Sequence, residues 1–478
     1  MSRTDVLIIG AGISGLSLAW WLTRQGLGVE VWEADKRIGG KIQTNQSDDG
    51  YITEQAASML MNFRPEVTEL LRETGLDTAK ISRLAEAEAR RYLLHNDQLT
   101  ALPMHPGAML FSPIWSLGGK LRLFLEPFIP PRYAQDESVS EFIRRRLGRE
   151  MLEKAMEPFV AGTLAADPDL ASAGACLPRL TALERKYGSI TAGILVNRLL
   201  RRRTACRAET FSFRGGMKTL VETLARTPGI QISTSYKVNG IMRTRKGWQV
   251  TATTPDGQRN LDVPQVVLTV PAPHAASLVS PLDNELAGLL RGIQYAPVNI
   301  VHTGFDRAAI GHALDGIGFL APRNAGRKTH QALTGNLWMS SLFPNRAPQN
   351  KFLLSSYIGG ARSPEIQHWD EEKCLQTTLS SLGNLLGIKA DPEMVRIDRH
   401  AQALPLYHGQ HQARIQAMAS HLRHLPGLYL EANYRGGVSV RDRIARSQIV
   451  AKQILDTLPK SILKDIDAIP AKTVESTA

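Results

Sequence analysis

The chain has 478 residues, of which 43% are hydrophobic, 21% charged and 6% aromatic. This composition is typical of a globular protein and excludes collagen-like, disordered and small disulfide-linked chains, and the length predicts two or three structural units. The formal net charge of +12 suits nucleic acid, an anionic lipid surface or an acidic small molecule, without choosing among them.

The first elements of the chain predict a βαβ unit. Residues 5–9 and 29–32 are compact apolar runs typical of strands, and residues 14–25 have the spacing of a helix. Three glycines interrupt the apolar segment 6–22, so we expect neither a signal peptide nor a membrane-spanning helix there.

The rest of the chain predicts mixed structure around a mainly helical region. A hairpin is expected at 91–102 and helices over 106–205. Further strands are predicted at 231–238, 247–253, 266–270, 299–304, 352–358 and 428–431, followed by a helix at 442–457. Because the first and last segments both have the order strand, loop and helix, we expect one nucleotide-binding domain assembled from separated stretches, with a second domain inserted.

Charged clusters and cysteines carry little functional signal. The arginine runs 144–146 and 201–203 are predicted to lie on solvated helix faces, and they lack the interleaved aromatic residues of nucleic-acid sites, so no nucleic-acid binding is expected. The cysteines, Cys176, Cys206 and Cys374, are far apart, which predicts neither disulfides nor a cysteine-based metal site. A reducing compartment, the cytoplasm, is the expected location.

The motif Gly10-Ala-Gly12-Ile-Ser14-Gly15 follows the first predicted strand and opens the first helix. Gly10 permits a tight turn, Gly12 lets the backbone approach a pyrophosphate, and Gly15 lets helix and strand pack closely. The helix N-terminus, where Ser14 lies, offers free N–H groups to phosphates. This context predicts a dinucleotide site.

Two further parts of this site follow in the chain. Glu33 and Ala34 end the second strand, where a carboxylate accepts hydrogen bonds from both ribose hydroxyls and disfavours NADP. The next segment, Arg37-Ile-Gly39-Gly40-Lys41, adds glycines that permit close backbone approach and cations that balance phosphate charge.

These three parts together resemble the FAD-binding glutathione-reductase-like superfamily, in its amine-oxidase branch, and the resemblance implies tightly bound FAD. Later segments resemble the oxygen-dependent protoporphyrinogen oxidase family and its coproporphyrinogen-oxidising relatives, nearly from end to end. These segments are residues 157–162, 166–168, 184–189, 213–217, 343–348, 357–360 and 433–438.

The resemblance implies an α/β fold with a GR2-type, Rossmann-like FAD-binding domain made of residues 1–85, 205–275 and 425–460. A mixed α+β substrate-binding domain would comprise 86–105 and 276–424, with a helical insert at 106–204 and a flexible tail at 461–478. Within the insert, apolar residues of 106–131 stand beside Lys120, Arg122 and Arg132. We therefore expect peripheral contact with the cytoplasmic face of a membrane, with a buried helical subdomain as the alternative.

The reaction implied by the resemblance removes hydrogens from a porphyrinogen, with hydride passing to flavin N5 and O2 reoxidising the flavin. No Ser-His-Asp set, carboxylate pair or metal-ligand spacing is evident, so neither a catalytic side chain nor a metal is predicted. By family position the substrate clamp is Leu320 on one side and Leu337, Trp338 and Met339 on the other, with Arg64 the nearest cation. A core role is the alternative for Trp338.

Family position also implies further FAD contacts. Val238 is expected near the adenine, and the loop with Asn433, Gly437 and Val438 near the isoalloxazine ring. The same resemblance adds Ser58, Met59 and His400 to the cofactor site.

Three segments depart from the family pattern. The sequence Gln55-Ala-Ala-Ser58-Met59 replaces a Gly-Pro pair, His400 replaces an aromatic residue, and Glu431-Ala432 replaces Ala-Gly. These departures leave the substrate open. A paralogous flavin oxidase of another cyclic amine, reduced pyrrole or polyene is one alternative, and a flavin-binding carrier without turnover is another. The family also suggests a homodimer, although no symmetric patch is evident.

Overall fold

The computed structural model describes residues 3–88, 90–103, 106–132, 136–200, 208–323 and 332–458. The predicted tail at 461–478, the arginine run 201–203 and Cys206 lie outside the described residues.

Twenty strands occur in the described part of the chain. They are β1 (Val6–Ile9), β2 (Val29–Trp32), β3 (Thr44–Gln46), β4 (Ile52–Glu54), β5 (Leu60–Asn62), β6 (Lys80–Ser82), β7 (Tyr92–His95), β8 (Gln98–Ala101), β9 (Glu209–Phe213), β10 (Ile230–Ser233), β11 (Lys237–Thr244), β12 (Gly247–Thr254), β13 (Gly257–Val263), β14 (Gln265–Leu268), β15 (Tyr295–Asp306), β16 (Gly318–Leu320), β17 (Leu333–Trp338), β18 (Lys351–Gly359), β19 (Met394–Pro405) and β20 (Leu428–Leu430).

Eighteen α-helices occur in the same residues. They are α1 (Ile13–Thr23), α2 (Pro65–Glu73), α3 (Ala85–Glu88), α4 (Pro106–Phe111), α5 (Leu117–Phe124), α6 (Val139–Arg146), α7 (Arg149–Met151), α8 (Glu157–Leu164), α9 (Ala173–Cys176), α10 (Pro178–Tyr187), α11 (Ile190–Leu199), α12 (Lys218–Ala225), α13 (Ala272–Val279), α14 (Asn284–Arg291), α15 (Met339–Leu342), α16 (Glu371–Leu386), α17 (His411–Leu422) and α18 (Val440–Thr457).

A five-stranded parallel sheet, in the order β10-β2-β1-β14-β20, forms the first layer of the fold. Its central strands are fully buried, as expected when both faces of a parallel sheet are covered. One face packs against α1, α2, α12 and α18, and the other against β11–β13, α13, α14 and α17. The strands come from the three separated segments that we assigned to one domain; that domain assignment itself stays a prediction.

A seven-stranded sheet, in the order β19-β15-β18-β17-β16-β7-β8, forms the second large layer. All neighbours are antiparallel except β16 and β7. The predicted hairpin is confirmed, since β7 and β8 pair from Tyr92–Ala101 to His95–Gln98. Helix α16 covers one face of this sheet, and the opposite face is turned towards the segment that follows β4.

The strand predicted at 231–238 is wrong as a single element. Strand β10 ends at Ser233 in the parallel sheet, and β11 begins at Lys237 in a different sheet. Between them Ser235 adopts φ 61°, a left-handed conformation that turns the chain, and its N–H donates to Asp35 O at 2.9 Å. Val238 therefore lies in the second strand.

The helical insert is held together by buried ion pairs. Arg146 pairs with Glu126, and neither side chain is exposed to solvent. The Glu126 carboxylate also accepts from Ser189 Oγ at 2.6 Å and Ile190 N at 3.0 Å, which caps the N-terminus of α11. Arg145 pairs with Glu137 and Glu184. The prediction of solvated faces is thus wrong for two of the three arginines at 144–146.

Among the described helices, none combines the length and the apolar character that crossing a bilayer requires.

Candidate active site

The three glycines of the turn between β1 and α1 differ in whether the protein's own backbone excludes a side chain there. Gly10 has φ 108°, and a Cβ at Gly15 would lie 2.0 Å from Gly10 O, so both positions are fixed by the protein's own backbone. A Cβ at Gly12 would meet no atom within 4 Å. Gly12 is the N-cap of α1 and has no side-chain cap, so the N–H groups of the first turn, including that of Ser14, are available to an external anion.

The second glycine turn lies directly on the first. Gly39 N donates to Ala11 O at 2.8 Å, and a Cβ at Gly40 would lie 3.3 Å from Gly12 Cα. Gly39 and Gly40 both have positive φ, 95° and 56°. Only glycine combines this conformation with so close an approach, because any side chain would separate the two turns.

The two cations of the second turn bind carbonyl oxygens. Arg37 Nη1 donates to Gly40 O at 2.8 Å and so braces its own turn. Lys41 Nζ donates to Ala403 O at 2.6 Å and also to Gln402 O, which ties the turn to β19. Burial lowers the pKa of Lys41 to about 8.

Glu33 stands at the carboxyl end of β2. Its Oε2 accepts from Ala11 N at 2.7 Å and its Oε1 from Asp35 N at 2.9 Å, so the carboxylate is held beside the first glycine turn. Ala34 is exposed, and Val238 is half-buried nearby in β11, which the hydrogen bond from Tyr236 N to Glu33 O at 2.8 Å connects to β2. A carboxylate oxygen has more than one acceptor site, so Glu33 can still accept from ribose hydroxyls.

The loop after β20 reaches the same sheet edge, since β20 pairs with β14 and β14 with β1. Gly437 has φ 113°, and the Tyr407 hydroxyl donates to Asn433 O, which fixes the start of the loop. Val438 is half-buried just before Ser439, whose hydroxyl caps α18 by accepting from Asp442 N at 3.2 Å.

A buried acid–arginine cluster lies behind this loop. The Glu431 carboxylate has no solvent exposure, and it accepts from Arg443 Nη1 at 2.9 Å, with Arg446 Nε at 3.6 Å. Arg443 also donates to Ala432 O at 2.6 Å. Burial raises the pKa of Glu431 to about 7, although Arg443 and Arg446 oppose this shift. Glu431, which departs from the family pattern, is therefore paired inside the protein with the cation Arg443.

The atypical segment 55–59 runs across the face of the seven-stranded sheet. Ser58 Oγ and Tyr357 Oη lie 3.2 Å apart, and His400 Nε2 donates to Gln55 O at 2.7 Å. Burial lowers the pKa of His400, so its ring is neutral near pH 7. Burial raises the pKa of Tyr357, which keeps its hydroxyl protonated. The two side chains that contact this segment from the sheet, Tyr357 and His400, are thus neutral.

We call the space between the segment 55–59 and this face of the sheet the cleft. Leu320 and Leu337, on the neighbouring strands β16 and β17, are apolar residues of the same face. Leu320 packs with Ile114 and Trp115 of the insert, and Leu337 packs in the same cluster as Met59. Both leucines point away from α16.

Of the clamp residues predicted on the second side, Leu337, Trp338 and Met339, the structure corrects Trp338. It has no solvent exposure and packs against the rings of Tyr92 and His312, at 5.3 and 4.9 Å between centroids, in the core under α16. Met339 is 1% exposed, in the core cluster that Leu337 and Met59 border. Neighbouring residues of a strand face opposite sides, so the cleft receives Leu337 and the core receives Trp338.

Sequence reasoning also missed Tyr357 as a site residue. The alternation in β18 gives the signal: Leu354 and Ile358 pack under α16, so Ser355 and Tyr357 must face the cleft. Arg64 is exposed at the N-cap of α2, outside the segment 55–59.

A family model of flavin-containing amine oxidoreductases matches residues 13–455. The chain belongs to this family. Protoporphyrinogen oxidase 2 of Arabidopsis thaliana, chloroplastic/mitochondrial, is 29% identical over 486 residues, with 96% of this chain and 95% of the relative covered. Coproporphyrinogen III oxidase of Bacillus subtilis is 28% identical, with 95% and 99% covered.

Solved structures agree with the fold of this flavin oxidoreductase family. A crystal structure from Exiguobacterium sp. 255-15 matches with a TM-score of 0.78 at 24% identity, covering 95% of this chain and all of that one. The protein is therefore an FAD-dependent oxidoreductase with a mixed α/β fold.

The described residues fit FAD as the family requires. Open space in front of Gly12 and uncapped N–H groups of α1 suit the pyrophosphate, and Glu33 suits a ribose. The loop with Asn433 and Gly437 lies at the same edge of the sheet, where it would contact the isoalloxazine end of the cofactor. Bound FAD supplies the electron acceptor, and these residues would position it.

Replacing Gly12 with valine tests the pyrophosphate position. Because a Cβ at this position has no protein atom within 4 Å, Gly12→Val should fold like the parent and yet lose FAD, measured as flavin absorbance after gel filtration and as the circular dichroism of the apoprotein. Gly288→Val, in open space on α14, is the matched control and should keep its flavin. Retention of FAD by Gly12→Val would refute the assigned position.

Glu431 should make the stability of the apoprotein depend on pH. Because its folded pKa of about 7 lies above its ordinary 4.5, the folded state retains a proton that the unfolded chain releases between those values. The free energy of unfolding should therefore fall by ~1–3 kcal/mol more in the parent than in Glu431→Gln as pH rises from 5 to 7.5.

Urea unfolding at both pH values measures this difference. Glu285→Gln, at a carboxylate 85% exposed, is the control and should follow the parent. Parallel profiles for the parent and Glu431→Gln would mean that the arginines keep Glu431 ionised throughout.

Proposed function

We propose that this FAD-dependent oxidoreductase oxidises a porphyrinogen, protoporphyrinogen IX to protoporphyrin IX, as a step of haem and tetrapyrrole biosynthesis. The observation that carries the proposal is the match over nearly the whole length of both chains to relatives named for porphyrinogen oxidation. FAD supplies the hydride acceptor at N5, and O2 is the proposed final electron acceptor. Residues 343–348, which resemble the same family, include Arg346. Its side chain is buried, and its Nη1 lies 3.5 Å from Glu54 Oε1.

The cleft supports a flat apolar substrate. Leu320, Leu337 and Met59 supply apolar walls, and the polar groups that face them, Tyr357 and His400, are neutral. Such a site orients an apolar macrocycle and excludes water from its ring carbons.

The altered segment 55–59 favours one second candidate, a paralogous flavin oxidase of another cyclic amine, reduced pyrrole or polyene. His400 donates a hydrogen bond to Gln55 O, so two of the residues that depart from the family pattern contact each other in the cleft.

We also propose that the insert rests on a membrane surface. None of the side chains of α5 is buried, and exposed apolar residues continue from α5 on to α11. They are Leu117, Leu121, Phe124, Leu125, Phe128, Ile194, Leu195 and Leu199, with Phe111 beside them, which is 88% exposed. A patch of this kind marks an interaction surface, and a lipid surface suits an apolar product. The Arg122 side chain donates to the carbonyl oxygens of Arg145 and Arg146, so the structure does not favour the lipid headgroup contact that we expected of it.

Aerobic incubation with protoporphyrinogen IX tests the proposed reaction. The purified FAD-loaded protein should generate porphyrin fluorescence and peroxide well above the rate of autoxidation, and Gly12→Val protein should match the autoxidation control. Fluorescence at the autoxidation rate, with rapid flavin reduction by another cyclic amine or pyrroline, would assign the protein to the second candidate.

Flotation with vesicles of phosphatidylcholine and phosphatidylglycerol tests membrane contact. The triple variant Leu117→Ser, Phe124→Ser, Phe128→Ser should lose about tenfold or more of its vesicle affinity, because exposed apolar side chains that enter the lipid each contribute of the order of 1 kcal/mol or more. Leu170→Ser, at a leucine 58% exposed outside this patch, should bind like the parent. Equal flotation of all three proteins would contradict the proposal.

A further inference from the structure

A phenylalanine ring lies between two arginines where three segments of the chain meet. The guanidinium carbon of Arg179 lies 3.7 Å from the centroid of the Phe63 ring, and that of Arg441 lies 4.0 Å from it. Phe63 precedes Arg64 and helix α2, Arg179 is in the first turn of α10, and Arg441 is in the first turn of α18. The helical insert therefore meets the parallel-sheet layer through stacked cations.

These arginines carry more positive charge than the neighbouring carboxylates balance. Arg441 pairs with Asp442 at 3.2 Å, and it donates to Met61 O at 2.7 Å. In the described part of the chain, neither Arg64 nor Arg179 pairs with a carboxylate. Burial, together with the charges of Arg441 and Arg64, lowers the pKa of Arg179, and Asp442 is the carboxylate that opposes this. An anion bound here would relieve the repulsion.

The cluster is connected along the chain both to the cofactor edge and to the segment 55–59. Arg441 follows the loop that carries Gly437 at the carboxyl edge of the parallel sheet. Phe63 and Arg64 follow the segment 55–59 through β5, and the hydrogen bond from Arg441 to Met61 O joins the two sides. The cluster thus lies at the border between the cofactor edge and the insert.

We propose that Arg64, Arg179 and Arg441 form a subsite that binds a carboxylate side arm of the substrate. The inference rests on the proposed function and deepens it, because it names where a carboxylate of an acidic substrate would bind. Stacking on Phe63 fixes the plane of the Arg179 guanidinium group, whose N–H groups donate to no described residue, and this is the arrangement that carboxylates bind. Arg441 stacks on the same ring and adds positive charge, although Asp442 and Met61 O occupy its N–H groups.

Arg179 is the residue to change, because its side chain is exposed and no hydrogen bond of the fold depends on it among the described residues. The FAD-loaded enzyme carrying Arg179→Ala should show a KM for coproporphyrinogen III, which has four carboxylates, raised about tenfold, with kcat within about twofold. The KM for protoporphyrinogen IX, with two carboxylates, should rise less, and Arg179→Lys should restore part of the loss. Arg185→Ala, exposed on the same helix, is the matched control and should leave both KM values unchanged.

Equilibrium binding distinguishes a charge effect from a change of shape. Coproporphyrin III should bind the parent more tightly than Arg179→Ala by a similar factor, measured by quenching of porphyrin fluorescence, whereas its tetramethyl ester should bind both equally. Equal KM values for Arg179→Ala and Arg185→Ala, or an equal loss for acid and ester, would overturn the subsite. A parent enzyme that retains FAD but oxidises neither porphyrinogen would overturn the proposed function, and with it the substrate named here.

Discussion

The direct contact between two glycine turns is the constraint on which the cofactor edge of this protein depends. Gly39 donates to Ala11 O, and Gly40 lies against Gly12, with no side chain between the backbones. This contact fixes where β2 ends and so places Glu33 beside the first turn. It also sets the position of Lys41, whose bonds to Gln402 and Ala403 carry the same register into the seven-stranded sheet. A substitution at this crossing would therefore disturb both layers.

Local patterns in the sequence predicted the parts of the fold that depend on neighbouring residues. The βαβ unit, the hairpin at 92–101 and the last helix are confirmed, because each is determined by apolar spacing and a turn within one segment. The strand predicted at 231–238 failed where an apolar pattern continued through a turn at Ser235. The prediction that Arg145 and Arg146 lie on a solvated helix face failed because their partners, Glu184 and Glu126, are distant in the sequence.

Much of the candidate site depends on such distant pairs. His400 bonds to Gln55, Ser58 meets Tyr357, and neither pair is visible in a single sequence. The choice among Leu337, Trp338 and Met339 has the same origin, since family position indicates the segment while strand alternation decides which of its residues faces the cleft. The glycine motif and Glu33 were predictable because cofactor geometry imposes their spacing directly.

The strand order of the parallel sheet also has a consequence for synthesis of the chain. The strand β20 begins at Leu428 of 478 residues and pairs with β14, beside the strand that opens the chain. During translation, β1 and β2 are made long before β14 and β20, so the sheet edge that receives the cofactor is incomplete until β20 has been made. Pairings this remote in sequence form slowly and leave apolar strand edges exposed meanwhile. The strand order therefore predicts that the cofactor edge forms late in folding, after β14 and β20 have joined β1.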